Sequence, residues 1–231
     1  MEPTRSALVT GGTGGLGSAV VARLLDDGWR VVVPWVAEHE LGRLDRHERL
    51  VLVQADLFDA QAVAAVVAQA DADGAPLRGV ANLVGGFDAG KKVAEAPIEQ
   101  FDEQFRLNLR PTYLVTQAAL PRLVAAGGGS IVCVGTRAAL QPFPGAAGYV
   151  ASKAAVIAFA QAVAVEYRND FVRCNAILPS VVDTPANRAS MPRADVSKWV
   201  APAQIAGVIA GLFSDDFGVT SGAAIPVYGR A

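Results

Sequence analysis

A glycine-rich run near the N-terminus constrains the fold of this chain more than any other feature. A short apolar segment ends at Thr10, residues 11–17 read GGTGGLG, and an amphipathic helical pattern then runs as far as Gly28. Glycine allows the backbone to turn sharply and to approach a ligand closely. A helix N-terminus offers free N–H groups and a positive dipole end to a pyrophosphate. The order of strand, turn and helix therefore predicts a dinucleotide site, and an ordinary glycine-rich turn is the alternative.

Apolar segments typical of strands alternate with helix-like segments along the whole chain. Segment 80–84 is apolar at almost every position, which suits a strand buried on both faces of a sheet. The alternation predicts one α/β domain over residues 1–231, of the Rossmann type, with a doubly wound parallel sheet of about seven strands and helices on both faces. Ligands of such folds bind at the carboxyl ends of the strands. The strand-like segments are 7–10, 30–33, 50–54, 79–84, 130–135, 173–178 and 223–227.

Tyr149 and Lys153 are four residues apart, a spacing that places two side chains on one face of a helix. A tyrosine hydroxyl ionises near pH ~10, and an adjacent ammonium favours the phenolate. Such a pair can exchange a proton with a substrate oxygen. The alternative is a surface lysine beside a half-buried tyrosine, so the pair indicates catalysis only together with other motifs.

Several motifs resemble those of the short-chain dehydrogenase/reductase family, in the same order along the chain. Residues 10–17 resemble its TGxxxGxG pattern, residues 82–85, NLVG, resemble its NNAG segment, and residues 179–184, PSVVDT, resemble the PGxxxT segment that borders the nicotinamide. Leu83 stands in place of the second Asn, Ser180 in place of a Gly, and Tyr228 where the family commonly has Asp. None of these departures removes a proton-transfer group.

The resemblance implies roles for four catalytic residues. Tyr149 supplies or accepts the proton, and Lys153 lowers the pKa of Tyr149 and holds the nicotinamide ribose. Thr136 stands in the place of the family's serine and orients the substrate oxygen, and Asn108 places a water that connects Lys153 to solvent. From the residues alone, Thr136 can simply end a strand, and Asn108 can cap backbone groups in a helix over residues 98–123. The cofactor-binding residues that the resemblance implies are Gly11, Thr13, Gly14, Gly15, Leu16, Gly17, Trp35, Asp56, Leu57, Asn82, Gly85, Tyr149, Lys153, Pro179, Val182 and Thr184.

The choice between NAD(H) and NADP(H) depends on the tip of the second strand. A carboxylate there would accept a hydrogen bond from the adenosine ribose and indicate NAD(H), but the residue at this position is Trp35. No arginine follows at once to receive a 2′-phosphate. Glu38 can replace the missing carboxylate, and His39 or Arg43 can reach a phosphate, but all three can equally belong to a solvated loop. NAD(H) is favoured over NADP(H), partly because of a second similarity.

That second similarity links two segments to quinonoid dihydropteridine reductases, which favour NAD(H). The segments are 85–87, GGF, after the fourth strand, and 183–199, which ends at Trp199. Those enzymes lack the family's serine, whereas this chain carries Thr136. The resemblance implies an NAD(P)(H)-dependent oxidoreductase of a small carbonyl, alcohol or pterin-like substrate, with dihydropteridine reduction as the specific alternative. An alternative of another class is a binding protein that senses a dinucleotide without turnover.

Charge and composition limit the partners. With 20 Lys and Arg against 22 Asp and Glu, the chain offers no basic patch for nucleic acid. No apolar run approaches the ~18 residues of a membrane-spanning helix, and residues 1–5 lead directly into the first strand. We therefore expect no membrane contact, no signal peptide and a cytoplasmic protein with a small-molecule substrate. Cys133 and Cys174 are predicted to be reduced core residues, and His39 and His47 lack the partners of a metal site.

The helix predicted over residues 147–168 carries apolar residues on more than one face, among them Ala155, Val156, Phe159 and Val163. A helix buried entirely within one subunit is the alternative. Because the family it resembles usually pairs this helix across a two-fold axis, we expect a homodimer or homotetramer.

Overall fold

A seven-stranded parallel sheet forms the centre of the molecule. The computed structural model describes residues 4–71 and 74–230, so residues 1–3, on which the expected absence of a signal peptide partly depends, lie outside the described residues. The strand order is β3-β2-β1-β4-β5-β6-β7 and the pairs are parallel, which confirms the predicted doubly wound sheet. The strands are β1 (Ser6–Thr10), β2 (Arg30–Trp35), β3 (Leu50–Gln54), β4 (Leu77–Asn82), β5 (Gly129–Val134), β6 (Val172–Pro179) and β7 (Ala224–Val227).

Helices cover both faces of the sheet, as predicted. They are α1 (Gly17–Asp26), α2 (Ala60–Ala70), α3 (Ile98–Asn108), α4 (Arg110–Ala125), α5 (Ala147–Glu166), α6 (Pro185–Ser190) and α7 (Pro202–Phe213). Because successive side chains of a strand point to opposite faces, each buried strand contributes to two cores. Helices α2, α4 and α5 enclose one core with Leu8 and Ile131, and helices α1 and α7 enclose the other with Val9 and Val132.

The strand order places a crevice between β1 and β4. The sheet grows from β1 through β2 to β3, and the chain then crosses back to place β4 on the other side of β1. Such a reversal leaves a crevice at the carboxyl ends of the strands, where ligands of these folds bind. The buried hydroxyl of Thr10 joins the two strands below it, donating to the carbonyl of Ala81 at 3.3 Å and accepting the N–H of Leu83 at 3.1 Å.

The prediction of a single helix over residues 98–123 is wrong, because the structure divides this segment into α3 and α4 at Leu109. Pro111, in the first turn of α4, explains the division. Proline has no N–H, so residue 111 cannot donate to the carbonyl of Leu107 as a continuous helix requires. Asn108 is consequently the last residue of α3, where its side chain reaches other elements.

Helix α5 is apolar around most of its circumference. Val156 and Val163 are buried, whereas Phe159 is half-buried and contacts the exposed Tyr113 of α4 at a ring-centroid distance of 5.6 Å. With its 20 residues, α5 is long and apolar enough by length and composition to cross a membrane, so the expectation that no segment reaches that length is wrong. An apolar face that remains outside the core is what self-association would cover.

We expect Phe159→Glu to weaken self-association, because a contact made by α5 would bury the new carboxylate without a partner. Light scattering at micromolar concentration should report a dimer or tetramer for the wild type and a smaller species for the variant. Val219→Glu is the control, since Val219 is 99% exposed and lies outside α4 and α5. A monomeric wild type would contradict the prediction.

Candidate active site

Contacts within the chain itself shape the glycine-rich turn. Gly11 has a φ of 65°, a left-handed conformation that favours glycine. A Cβ on Gly17 would lie 2.0 Å from the carbonyl oxygen of Gly11, so a side chain at this position would push the turn away from α1. Gly17 is therefore needed first for the packing of the turn. The approach of a pyrophosphate, the role expected from the sequence, depends on that packing.

The start of α1 is suited to an anion. Among the described residues, no side chain caps its N-terminus at Leu16, and its first turn contains no acidic residue. The first N–H groups of a helix lack partners within the helix, and together with the helix dipole they attract negative charge. The turn and the helix start thus fit the pyrophosphate of a dinucleotide.

We expect Gly17→Ala to lower the free energy of unfolding by about 2 kcal/mol, because overpacking that shifts the backbone typically costs ~1–3 kcal/mol. Gly42→Ala is the matched control, since a Cβ on Gly42 meets no described atom within 4 Å. Urea denaturation followed by circular dichroism measures both variants. Equal stabilities would show that Gly17 has no packing role.

The Asn82 side chain is buried at the end of β4. It is 2% exposed, and its Nδ2 donates to Thr116 Oγ1 of α4 at 3.0 Å. Its Oδ1 has no hydrogen-bond partner within the described part of the chain. Asn82 therefore supports the end of β4 from the core side, and its direct contact with the cofactor stays a prediction.

Asn108 joins the loop after β4 to α5. It is fully buried, and its Oδ1 accepts the N–H of Gly86 at 2.9 Å. Its Nδ2 donates to Ser152 Oγ at 3.0 Å, and the Ser152 hydroxyl donates to the carbonyl of Tyr149 at 2.9 Å. Asn108 thus bonds a backbone group, as the capping alternative suggested, but the group belongs to the loop after β4. A Cβ on Gly85 would lie only 2.6 Å from Asn108 Oδ1, so the loop needs glycine there.

Tyr149 and Thr136 meet beyond the carboxyl end of β5. Thr136 is 7% exposed, and its hydroxyl accepts the N–H of Ala138 at 3.3 Å. Burial raises the pKa of Tyr149, and the neighbouring hydroxyl of Thr136 opposes this rise. The sequence predicted that Lys153 lowers this pKa, but burial outweighs any such effect. The phenol therefore holds its proton at neutral pH and is suited to donate it.

Lys153 lies one helical turn after Tyr149 and is 6% exposed. Its Nζ donates to the carbonyl of Val134 at 2.9 Å, and a Cβ on Gly85 would lie 2.9 Å from the same Nζ. Burial lowers the pKa of Lys153 to about 8, and the nearby Cys133 thiol opposes the change. An ammonium has three N–H groups, of which Val134 accepts one. The ammonium thus lies between β5 and the loop after β4, where the carboxyl ends of the strands meet.

The burial of Lys153 predicts a pH dependence of stability. Its pKa is about 8 in the folded protein against an ordinary value of 10.5, so between these values unfolding takes up a proton. The free energy of unfolding therefore rises with pH in this window, by about 2 kcal/mol between about pH 7 and about pH 9.5. Lys153→Met should remove this rise. Urea denaturation of both proteins across the window measures it, and parallel curves would contradict a buried, titrating ammonium.

The loop after β6 lies against the glycine-rich turn. Pro179 ends β6, Val182 pairs with Val200 in an isolated bridge, and Thr184 caps α6 through its side-chain oxygen. A Cβ on Gly15 would lie 3.0 Å from Thr184 Cβ, so the turn and the loop are in contact. Two segments that the sequence predicted to hold opposite parts of the cofactor are therefore neighbours.

Ser180 and Tyr228, two residues that depart from the family pattern, are joined by a hydrogen bond. The Ser180 hydroxyl donates to the carbonyl of Tyr228 at 2.8 Å, and the Arg137 guanidinium lies 5.1 Å from the centre of the Tyr228 ring. The loop after β6 is thereby tied to the end of β7.

At the adenosine end, the predicted residues differ in accessibility. Trp35 ends β2 half-buried, and its carbonyl accepts the N–H of Ala55 at 3.0 Å. Asp56 is exposed and accepts the N–H of Phe58 at 2.9 Å, whereas the Leu57 side chain is 8% exposed and packs into the core. Asp56 is therefore the more accessible of the pair that follows β3.

Glu40, which no sequence motif indicated, contacts the glycine-rich turn. A 3-10 helix, Glu38–Arg43, follows β2. The hydroxyl of Thr13 donates to Glu40 Oε2 at 2.7 Å. Arg43 Nη1 donates to Glu40 Oε1 at 2.8 Å and to the carbonyl of Thr13 at 3.0 Å. Thr13 and Glu40 are 27 residues apart, so no local pattern could identify this contact.

Phe87 and Phe143 form an aromatic wall beside Tyr149. The Phe87 ring meets Tyr149 edge-on at 4.9 Å and lies 6.3 Å from Phe143, and the two phenylalanines are 63% and 45% exposed. The N–H of Gly90 donates to the carbonyl of Gly145 at 2.9 Å and so joins the two loops that carry the wall. The sequence indicated Phe87 through its resemblance, but the contact with Phe143 was not predictable because loop conformation decides it.

The two cysteines are free and buried, as predicted. A hydrogen bond with Cys133 and burial together raise the pKa of the Cys174 thiol. Within residues 4–71 and 74–230, no group of three or more His, Cys, Asp or Glu side chains is placed to hold a metal ion.

A cavity of about 760 Å³ lies at the opposite edge of the sheet, where the strands begin. Arg5, Arg78 and Arg173 are among its lining residues. Arg173 Nη1 donates to the carbonyl of Leu212 at 2.7 Å, and the Arg5 guanidinium lies 4.2 Å from the centre of the Trp29 ring. None of the predicted catalytic residues lines this cavity, so cavity size does not locate the reactive centre.

Comparison with known proteins agrees with the geometry. The family model described as short chain dehydrogenase matches residues 5–195. The chain is 31% identical to 2-(R)-hydroxypropyl-CoM dehydrogenase of Xanthobacter autotrophicus, over 98% of each chain. It is 26% identical to a short-chain type dehydrogenase/reductase from Mycobacterium ulcerans, with a TM-score of 0.92 over 99% of this chain and 90% of that one. The structure of ElxO with NADP bound shares the fold, at 20% identity and a TM-score of 0.90 over 98% of each chain.

The chain therefore belongs to the short-chain dehydrogenase family, and it is an NAD(P)-dependent oxidoreductase. The crevice suits this cofactor, because it combines a glycine turn with no space for side chains at Gly17, an uncapped helix start and a buried ammonium. The family and its dehydrogenase relatives thus favour an enzyme over the dinucleotide-sensing protein that the sequence left open.

Proposed function

We propose that the enzyme interconverts a small carbonyl compound and its alcohol, with Tyr149 as the proton donor and acceptor. The observation that carries this proposal is that the side chains of Tyr149 and Thr136 are neighbours, with the buried ammonium of Lys153 one helical turn away. Two neighbouring hydroxyl groups can bind a single substrate oxygen between them. One of them, the phenol, can also transfer a proton to that oxygen.

The residues of the crevice divide the work between binding and proton transfer. When bound, the nicotinamide supplies or accepts the hydride. In the reductive direction, Tyr149 donates its proton to the oxygen that becomes the alcohol, and Thr136 donates a hydrogen bond to the same oxygen. The resulting phenolate is stabilised by the charge of Lys153 and regains a proton from solvent. In the oxidative direction, the phenolate removes the proton of the alcohol.

The chain's own groups also account for cofactor binding. We assign the pyrophosphate to the N–H groups of the turn over residues 11–17 and the nicotinamide ribose to the free N–H groups of Lys153. Val182 and Thr184 would border the nicotinamide, since their loop contacts the turn at Gly15. Asp56 is accessible to the adenine.

The aromatic wall of Phe87 and Phe143 favours a substrate with an apolar group beside its reactive oxygen. A relative is named for a 2-(R)-hydroxypropyl substrate, in which a secondary alcohol carries a methyl group. A pterin-like ring is the second candidate, because flat rings stack well on exposed phenylalanines. A panel of ketones, secondary alcohols and quinonoid dihydropterin, each tested with both nucleotides, separates these candidates.

We expect Tyr149→Phe to lower kcat by ~10² to 10⁴-fold while leaving nucleotide affinity unchanged, because general acid catalysis contributes on this scale and the ring packing is kept. Thr136→Ala should reduce kcat less, since Thr136 orients the oxygen and transfers no proton. Steady-state kinetics with the best substrate of the panel measures both. Tyr113→Phe is the matched control, because it removes the same hydroxyl from an exposed tyrosine of α4.

Circular dichroism of each variant excludes unfolding as the cause of lost turnover. Wild-type turnover by a folded Tyr149→Phe variant would overturn the proposed mechanism. Turnover lost equally in Tyr113→Phe would show that the effect does not come from the crevice.

A further inference from the structure

We propose that Glu40 selects NAD(H) over NADP(H). This inference rests on the proposed function, because it concerns the adenosine end of the same crevice. In folds of this type, a carboxylate near the tip of the second strand accepts a hydrogen bond from the adenosine ribose of NAD(H), whereas NADP(H) needs a cation for its 2′-phosphate. The tip of β2 is Trp35, an indole that can play neither part.

Glu40 is held against the turn from two sides. Thr13, which is 5% exposed, donates its hydroxyl proton to Glu40 Oε2 at 2.7 Å. Arg43 Nη1 donates to Glu40 Oε1 at 2.8 Å. The same Nη1 also donates to the Thr13 carbonyl at 3.0 Å, which fixes the Arg43 guanidinium to the turn. A carboxylate has about four lone-pair directions, so Glu40 can accept a ribose hydroxyl while it keeps both partners.

The charges of Glu40 and Arg43 disfavour the binding of a 2′-phosphate beside Thr13. The hydrogen bond from Thr13 and the neighbouring Arg43 lower the pKa of Glu40, which is therefore ionised at neutral pH. A 2′-phosphate that approached Thr13 would meet this negative charge at close range. The positive charge of Arg43 is already paired with Glu40, so Arg43 would have to leave two hydrogen bonds before it could bind the phosphate.

The other candidates on this 3-10 helix are less well placed. Glu38 and His39 are exposed, whereas Glu40 accepts the hydrogen bond from Thr13 and Arg43 donates one to the Thr13 carbonyl. Glu38 was the ribose acceptor considered from the sequence, and Glu40 takes that part because of its position beside Thr13. Glu38→Gln is therefore a matched control, because it makes the same change of charge two residues away from Glu40.

The experiment is a fluorescence titration of the enzyme without substrate, using NADH and NADPH separately. We expect the wild type to bind NADH at least about tenfold more tightly, the scale of one charge-assisted hydrogen bond. Glu40→Gln should reduce this ratio by about tenfold or more, because it removes the repelling charge and releases Arg43. Glu38→Gln should change the ratio by less than about twofold.

Competition with fragments keeps the test independent of whether Glu40→Gln folds. The two fragments 5′-AMP and 2′,5′-ADP differ in the 2′-phosphate. From the wild type, 5′-AMP should displace bound NADH more readily than 2′,5′-ADP does. A wild type that prefers NADPH or 2′,5′-ADP would overturn this inference and leave the proposed function standing. An unchanged ratio in folded Glu40→Gln would overturn it as well. If the wild type binds neither nucleotide, the inference and the proposed function fail together.

Discussion

The geometry of the site depends on the side-chain amide of Asn108. This group is fully buried, and it bonds the N–H of Gly86 on one side and the hydroxyl of Ser152 on the other. Ser152 in turn donates to the backbone of Tyr149, and Phe87, next to Gly86, lies against the Tyr149 ring. The loop after β4 and the helix that carries Tyr149 are therefore positioned by one residue. Loss of the amide would leave a buried N–H unpaired, at a cost of ~1–3 kcal/mol.

Features that depend on local sequence were predictable. Each predicted strand overlaps an observed one, because apolar segments bounded by turn residues identify buried strands. The turn over residues 11–17 lies between β1 and α1, and the spacing of Tyr149 and Lys153 places both on α5. The break at Leu109 was equally visible in principle, since Pro111 is a local signal that outweighs the helical pattern around it.

Features that depend on contacts between distant segments were not predictable. Glu40 is identified only by its hydrogen bond with Thr13. The aromatic wall depends on the hydrogen bond between the loops at Gly90 and Gly145. The burial of a side chain also depends on contacts between distant segments. The spacing of Tyr149 and Lys153 suggested a lowered tyrosine pKa, but the pKa follows from how much water the fold excludes, which spacing does not show.

Burial changes the chemistry of Tyr149 and Lys153 in opposite senses, since it raises the pKa of the acid and lowers that of the base. Both changes disfavour charge in the crevice, and the backbone carbonyl of Val134 compensates the ammonium only in part. A phenolate that forms beside Lys153 would be a partner for this charge. In the proposed mechanism, the cost of keeping a buried ammonium at neutral pH would be offset once Tyr149 gives up its proton. Stability lost in the resting protein would then become stabilisation of the charged state that the proposed reaction requires.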